Sequence, residues 1–177
     1  MTKFIQETEF KFYDVPKQNL KLKGVQQFLI KAVNLKDKVA VLSELMDHLG
    51  DSQTMIFVNT KATADKVEKL ITQKGYSFTK LYGGMENFDR DKAIDNFRSG
   101  DTRVLISTNV LARGIDVPEV DLVVNFDCPY DYAHGAKFPD FANYLHRIGR
   151  TGRFGTDGLA LTMYSDEVEY GLMKEVE

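Results

Sequence analysis

The chain has 177 residues, 43% of them apolar and 28% charged, and a formal net charge of −3. That length suits one domain with a sizeable core, and the acidic balance excludes a protein coated with basic residues while leaving room for a local basic groove. No run of about 18 apolar residues occurs and MTKFIQETEF lacks an apolar segment, so neither a membrane span nor a signal peptide is expected; the one cysteine, Cys128, excludes intrachain disulfides and suits a reducing compartment.

Residues 1–24 read as an arm or linker, punctuated by Pro16 and Gly24. VQQFLIKAV, from Val25, reads as a strand. Asn34 is placed to cap a helix, NLKDKVAVLSELMDHLG, with Leu35, Val39, Leu42, Met46 and Leu49 on one stripe and Gly50 as its stop. TMIFV (54–58) is a short buried strand. A helix from about Thr60 turns Ala64, Val67, Leu70 and Ile71 inward and ends at Gly75. SFTKLY is a strand, and ENFDRDKAIDNFRSG a helix with Phe88, Ile94 and Phe97 inward and Gly100 as its stop. TRVLIST is a strand, followed by a short helical turn and the strand VDLVVNF. Cys128 follows that apolar run, the setting of a packed core thiol rather than a nucleophile. A loop of Gly, Pro and aromatic residues covers about 129–139. A helix then carries Tyr144 into HRIGRTGRFG (146–155), GLALTMY is the last strand, and Ser165 opens a final helix.

Strands and helices alternate, and most strands are apolar on both sides. This is the pattern of a doubly wound α/β domain over 25–177, with a mostly parallel sheet between helices. Ligands then gather at the carboxyl ends of the strands. Three strands are followed there by Asn59-Thr60-Lys61, by Gly83-Gly84 with Arg90 one turn on, and by Thr108-Asn109 with Ala112-Arg113-Gly114-Ile115-Asp116. Each places hydroxyls, small residues or a cation near a helix start, where free N–H groups suit phosphate. The competing reading is that Thr60 and Asn109 only cap helices and the glycines only make a turn. Asp116 suits a ribose hydroxyl or an internal pair with Arg113.

HRIGRTGRFG sets Arg147, Arg150 and Arg153 three apart with no acidic residue among them. It reads either as a solvated basic turn or as a site for a polyphosphate, whose oxygens the guanidinium fork matches in pairs. Gly149 and Gly152 cost about 1 kcal/mol each inside a helix, so the Tyr144 helix is expected to end there. No GxxxxGK[ST] loop occurs, and no acidic pair follows an apolar strand to hold magnesium. His48, His134 and His146 have no metal-ligand spacing. Arginines for a triphosphate without a cradle imply that the cradle lies on another domain. Tyr130, Tyr132, Phe138 and Phe141 give the 130–143 loop more aromatic area than a loop needs, either as an interaction surface or folded onto its own domain.

Together these residues resemble the second RecA-like domain of DEAD-box RNA helicases. The resemblance covers roughly 25–165 through MIFVNT (55–60), GG…R (83–90), STNVLARGIDVPEV (107–120), VVNFDCP (123–129) and HRIGRTGRFG, with His146 favouring the DEAD-box branch over the DEAH group. It implies an RNA-stimulated ATPase in which Arg150 and Arg153 are fingers toward the γ-phosphate of ATP. That ATP, with Mg2+, is held mainly on the N-terminal RecA-like domain, so this chain alone is expected to be inactive. Gly114 and Asp116 line the sugar side of the nucleotide, and Thr60, Gly83, Arg90 and Thr108 contact the RNA backbone. Arg113 and His146 join the network coupling the two ligands, and Arg147 is structural. Tyr82-Gly83-Gly84 stands where the family commonly has HGD, Asn87-x-x-Arg90 where Gln-x-x-Arg is frequent, and Asn109 where Asp is frequent. Asn109 and the long YDYAHGAKFPDFAN loop resemble the nuclear mRNA-export subgroup. That subgroup implies a nucleoporin and an inositol-phosphate-dependent activator as partners, no membrane, and a place in cytoplasm and nucleus at the cytoplasmic face of the nuclear pore. Two other readings are carried: a non-catalytic RNA-binding or regulatory module of the same fold, and a helicase of another branch acting on DNA.

Overall fold

A computed structural model describes residues 12–14, 24–48, 50–108, 118–133, 136–152 and 157–174. In chain order the elements are β1 (Phe12–Asp14), β2 (Val25–Lys31), α1 (Leu35–Met46), β3 (Thr54–Phe57), α2 (Lys61–Gln73), β4 (Phe78–Leu81) and α3 (Asn87–Ser99). There follow β5 (Val104–Ser107), β6 (Leu122–Asn125), β7 (Tyr130–Ala133), β8 (Ala136–Pro139), α4 (Phe141–Ile148), β9 (Gly158–Tyr164) and α5 (Glu167–Lys174). Seven strands form one sheet in the order β1-β2-β9-β6-β3-β5-β4. The pairings from β2 to β4 are all parallel, and β1 is antiparallel to β2 with Phe12 opposite Ile30. The doubly wound, mostly parallel fold is therefore what the alternation of elements implies.

Both faces of the sheet are buried, which is why β3, β5 and β6 are apolar without alternation. Met55, Phe57, Leu105 and Val123 point to one side, where they pack with Ile94 and Phe97 of α3 and Tyr144 and Ile148 of α4. Ile56, Ile106 and Val124 point to the other, against Leu42 and Met46 of α1 and Val67 and Ile71 of α2. Cys128 is buried in the first cluster, as a core thiol should be.

Four local expectations are corrected. The stripe of α1 is Lys38, Val41, Leu42, Leu45 and Met46, while Leu35 is exposed. A lysine occupies the inward face, so a search for apolar residues alone selects the wrong rotation; Leu49 lies outside the described residues. Phe88 is 77% exposed. It stands nine residues before buried Phe97, half a turn out of phase at about 100° per residue. The segment read as a loop contains the antiparallel hairpin β7–β8, with Asp131 opposite Phe138 and β8 beside α5. The last helix is capped by Asp166, whose Oδ1 accepts from Glu169 N–H at 2.8 Å. The Glu169 carboxylate reaches back to the N–H of Ser165 at 2.7 Å and its hydroxyl at 2.6 Å, so Ser165 belongs to the box without being its cap.

Candidate functional site

Parallel pairing brings the carboxyl ends of β6, β3, β5 and β4 to one edge of the sheet, in that order. Neighbouring strands stand about 4.8 Å apart, so the ends of β3, β5 and β4 span about 10 Å. After β3, Thr60 caps α2: its Oγ1 accepts from Thr63 N–H at 3.1 Å and lies 2.9 Å from the Thr63 hydroxyl. The capping reading is thus realised, and the residue is nonetheless exposed at the rim. Thr108 is half-buried after β5, and its N–H donates to Leu81 O at 3.0 Å, joining the ends of β5 and β4. Lys61 Nζ stands 4.3 Å from the centre of the Tyr82 ring, joining the ends of β3 and β4.

After β4 the turn exposes Gly83 and Gly84, the latter at φ +86, where a side chain would be strained. The turn leads into α3, whose N-cap Glu86 makes no side-chain cap hydrogen bond. The first turn of a thirteen-residue helix therefore presents amide donors and the positive end of its dipole at the rim. Arg90 is half-buried beside it, and its Nη2 donates to Met85 O at 3.4 Å.

The arginine stretch is divided by depth. Asp140 caps α4, its Oδ1 accepting from Asn143 N–H at 2.9 Å, and the helix ends at Gly149 as its composition implies. Tyr144 anchors it from within, its hydroxyl donating to Gln27 Oε1 at 2.7 Å. Burial pushes the Tyr144 phenol well above the ordinary tyrosine range. His146 lies on the exposed face. Arg147 is 1% exposed. Its Nη1 donates to Asp127 O at 2.9 Å and Asn125 Oδ1 at 3.3 Å, and its Nη2 donates to Asn59 Oδ1 at 3.1 Å. The guanidinium also lies 5.0 Å from the Phe57 ring centre. Burial pulls its pKa down to about 10, against the opposing pull of Cys128, Asp127 and Asp140.

Arg150, one turn on, is half-buried. Its backbone is fixed on both sides: the N–H donates to Arg147 O at 3.2 Å, and the carbonyl accepts from Val120 N–H at 3.0 Å. Gly152 has φ +70, and a Cβ there would come within 2.6 Å of Gly24 O and 2.8 Å of Val25 Cγ2. This glycine packs the turn against the start of β2 and does not loosen it. Gly149, at φ −70, has an ordinary conformation. Arg113, Gly114, Asp116, Asn109 and Arg153 lie outside the described residues.

Sequence reasoning passed over Lys38, Asn125 and Asp127, which lie beneath this edge. Asn125 is fully buried in β6, and its Nδ2 donates to Thr162 Oγ1 at 3.0 Å. The signal was an amide and a carboxylate closing an otherwise apolar strand, VVNFD. Of the aromatic residues in that segment, Phe138 of β8 is 48% exposed, whereas Tyr130 at the start of β7 and Phe141 at the start of α4 are half-buried. Among the described residues no group of three or more His, Cys, Asp or Glu is placed to hold a metal, and no helix is long and apolar enough to cross a membrane.

The parallel sheet that carries this edge is matched in known proteins. Residues 37–155 match the helicase conserved C-terminal domain, and the chain belongs to that family. Within it the chain is a Dbp5-like C-terminal domain of the DEAD-box branch. The ATP-dependent RNA helicase dbp5 of Aspergillus niger is 41% identical over 162 residues, 90% of this chain and 34% of that protein. The solved C-terminal domain of the DEAD-box protein Dbp5 superimposes with a TM-score of 0.78 at 40% identity, over 86% of this chain and 83% of that one. S. cerevisiae Dbp5 bound to RNA and ADP BeF3 superimposes with a TM-score of 0.74 at 40% identity, over 88% of this chain and 38% of that one. The chain spans about a third of the length of the curated relatives it matches.

Proposed function

We propose that this chain is the half of an ATP-dependent RNA helicase that grips the RNA backbone and completes the ATP site from the opposite side. The observation that carries the reading is the different depth of two neighbouring arginines. Arg147 is spent on the interior, whereas Arg150 stands half-buried on a backbone fixed at both of its ends. A guanidinium rooted on such a fixed stretch of backbone suits charge that develops on a γ-phosphate, and it has no proton to lose. ATP with Mg2+, held by an N-terminal RecA-like domain, supplies the scissile phosphoanhydride. Arg150 and Arg153 supply positive charge toward it, and Gly114 and Asp116 line its sugar. Thr60, Gly83, Arg90 and Thr108, with the open amides of α3, follow the RNA sugar-phosphate backbone, contacts that carry no base preference. Arg113 and His146 connect the two surfaces.

The relative bound to RNA and ADP BeF3 supports this pair of ligands. A variant of S. cerevisiae Dbp5 is bound to nup159, gle1, ip6 and adp. It supports a nucleoporin and an inositol-phosphate-dependent activator as partners here, with work at the cytoplasmic face of the nuclear pore. The test is steady-state ATP hydrolysis by the isolated chain and by the full-length protein, with and without RNA. Hydrolysis confined to the full-length protein and stimulated by RNA is expected. Turnover by the isolated chain would overturn the division of labour, and a full-length protein that binds RNA without hydrolysing ATP would favour a non-catalytic RNA-binding module.

A further inference from the structure

Lys38 belongs to none of the motifs above, yet its position is unusual for a lysine. It lies on the inward face of α1 and is 8% exposed. Lysines are almost never this buried unless paired. Its Nζ donates to Asp127 Oδ1 at 3.1 Å and stands 5.7 Å from the Phe126 ring centre. The other carboxylate oxygen, Asp127 Oδ2, accepts from the backbone N–H of Asn59 at 2.9 Å. The Asn59 side chain donates to Cys128 O at 2.8 Å and accepts from Arg147 Nη2 at 3.1 Å. The residue before Thr60 is thereby held at its backbone by a carboxylate from the end of β6 and at its side chain by α4. Asp127 depends on Lys38 in turn: an unpaired carboxylate this close to the interior would turn toward water and release the Asn59 amide.

We propose that Lys38 is a positioning residue for RNA binding, acting through Asp127 to fix the Asn59–Thr60 turn at the rim. The inference rests on the reading of Thr60 as a backbone contact. Lys38 touches neither ligand, and its effect is on where Thr60 is presented. Losing it therefore weakens the grip on RNA and leaves hydrolysis by the RNA-saturated enzyme in place.

The experiment is RNA-titrated ATPase of the full-length protein for Lys38→Met, Lys38→Arg and Thr60→Ala, with thermal melting of each. Lys38→Met is expected to raise the RNA concentration at half-maximal stimulation about fivefold with kcat within twofold of the parent, and Lys38→Arg to recover most of the loss. If Lys38→Met melts below the assay temperature, the pair Lys38→Met with Asp127→Ala, which removes both charges and the acceptor of the Asn59 N–H, replaces it, with the same expectation. A fall in kcat and melting temperature with no change in the RNA midpoint would overturn the proposal and make Lys38 a stability residue only. Thr60→Ala separates the two readings. If it leaves the RNA midpoint unchanged, the backbone reading of the rim fails; if it shifts the midpoint and Lys38→Met does not, only the positioning role fails.

Discussion

Beneath the carboxyl edge of the sheet, Arg147, Asn125, Lys38 and Asp127 are buried or nearly so and bonded to one another, whereas on the rim above them Thr60, Gly83, Arg90 and Arg150 are exposed or half-buried. Both layers are polar, and both draw on HRIGRTGRFG. The lower layer satisfies its charges internally, because a buried charge without partners costs several kcal/mol. The upper layer keeps its groups within reach of solvent, where a charged ligand can meet them. Depth separates a residue bonded into the interior from one within reach of solvent, even between arginines one helical turn apart.

The largest effect is expected at Arg150. In the full-length protein Arg150→Ala should lower ATP turnover by roughly 10³-fold, the low end of what an arginine finger contributes, with the melting temperature within a few degrees of the parent. Turnover within a few-fold of the parent would remove Arg150 from the ATP side. Arg147→Ala should do the reverse: the emptied site leaves Asn59, Asn125 and the Asp127 carbonyl without their donor, a loss of about 3–5 kcal/mol. At about 2–4 °C per kcal/mol that is a melting temperature lower by roughly 6–20 °C. An unchanged melting curve would mean that Arg147 is not the keystone of the lower layer.

Gly152→Ala sharpens the comparison from the backbone side. The alanine would carry a positive φ and press on Gly24 O, so a loss of about 2–4 kcal/mol is expected by calorimetry. A neutral result would mean that the close approach of Gly152 to Gly24 does not constrain the turn. The smallest effect concerns Tyr144. Its phenol is held above its unfolded value, so the stability it contributes is fully present below pH of about 10 and is lost as pH rises beyond that. Chemical denaturation should show Tyr144→Phe less stable by about 1–2 kcal/mol at neutral pH, with the gap closing in alkali. A gap that widened above pH 10 would reverse the sign assigned here.

Much of the fold was legible because its signals are one-dimensional. Ala64, Val67, Leu70 and Ile71 are apolar at helical spacing, and α2 buries those four. The continuous apolar runs of β3, β5 and β6 implied a sheet covered on both faces. Lys38 was hidden because its partner lies 89 residues away and a charge on an inward stripe looks like a face in water. The hairpin β7–β8 was hidden because aromatic and glycine residues serve loops and strands alike. At the candidate site the rim could be read from strand-end chemistry, since parallel strands bring all their carboxyl ends to one edge. The unequal depths of Arg147 and Arg150 were implied by the resemblance, which makes Arg147 structural, but not by the residues alone, because they depend on which way α4 is rolled; Tyr144 and Ile148 set that roll by entering the core, where the Tyr144 hydroxyl bonds Gln27 of β2.

The central claim is that two ligands divide this edge, RNA at the ends of β3, β4 and β5 and ATP at the end of α4. The direct measurement is steady-state ATPase across an RNA titration for full-length Arg90→Ala beside Arg150→Ala. The account predicts that Arg90→Ala raises the RNA midpoint about tenfold, worth about 1.4 kcal/mol, while its turnover at saturating RNA stays near the parent's; Arg150→Ala should lose turnover at every RNA concentration with its RNA midpoint little moved. The same profile from both variants would contradict it.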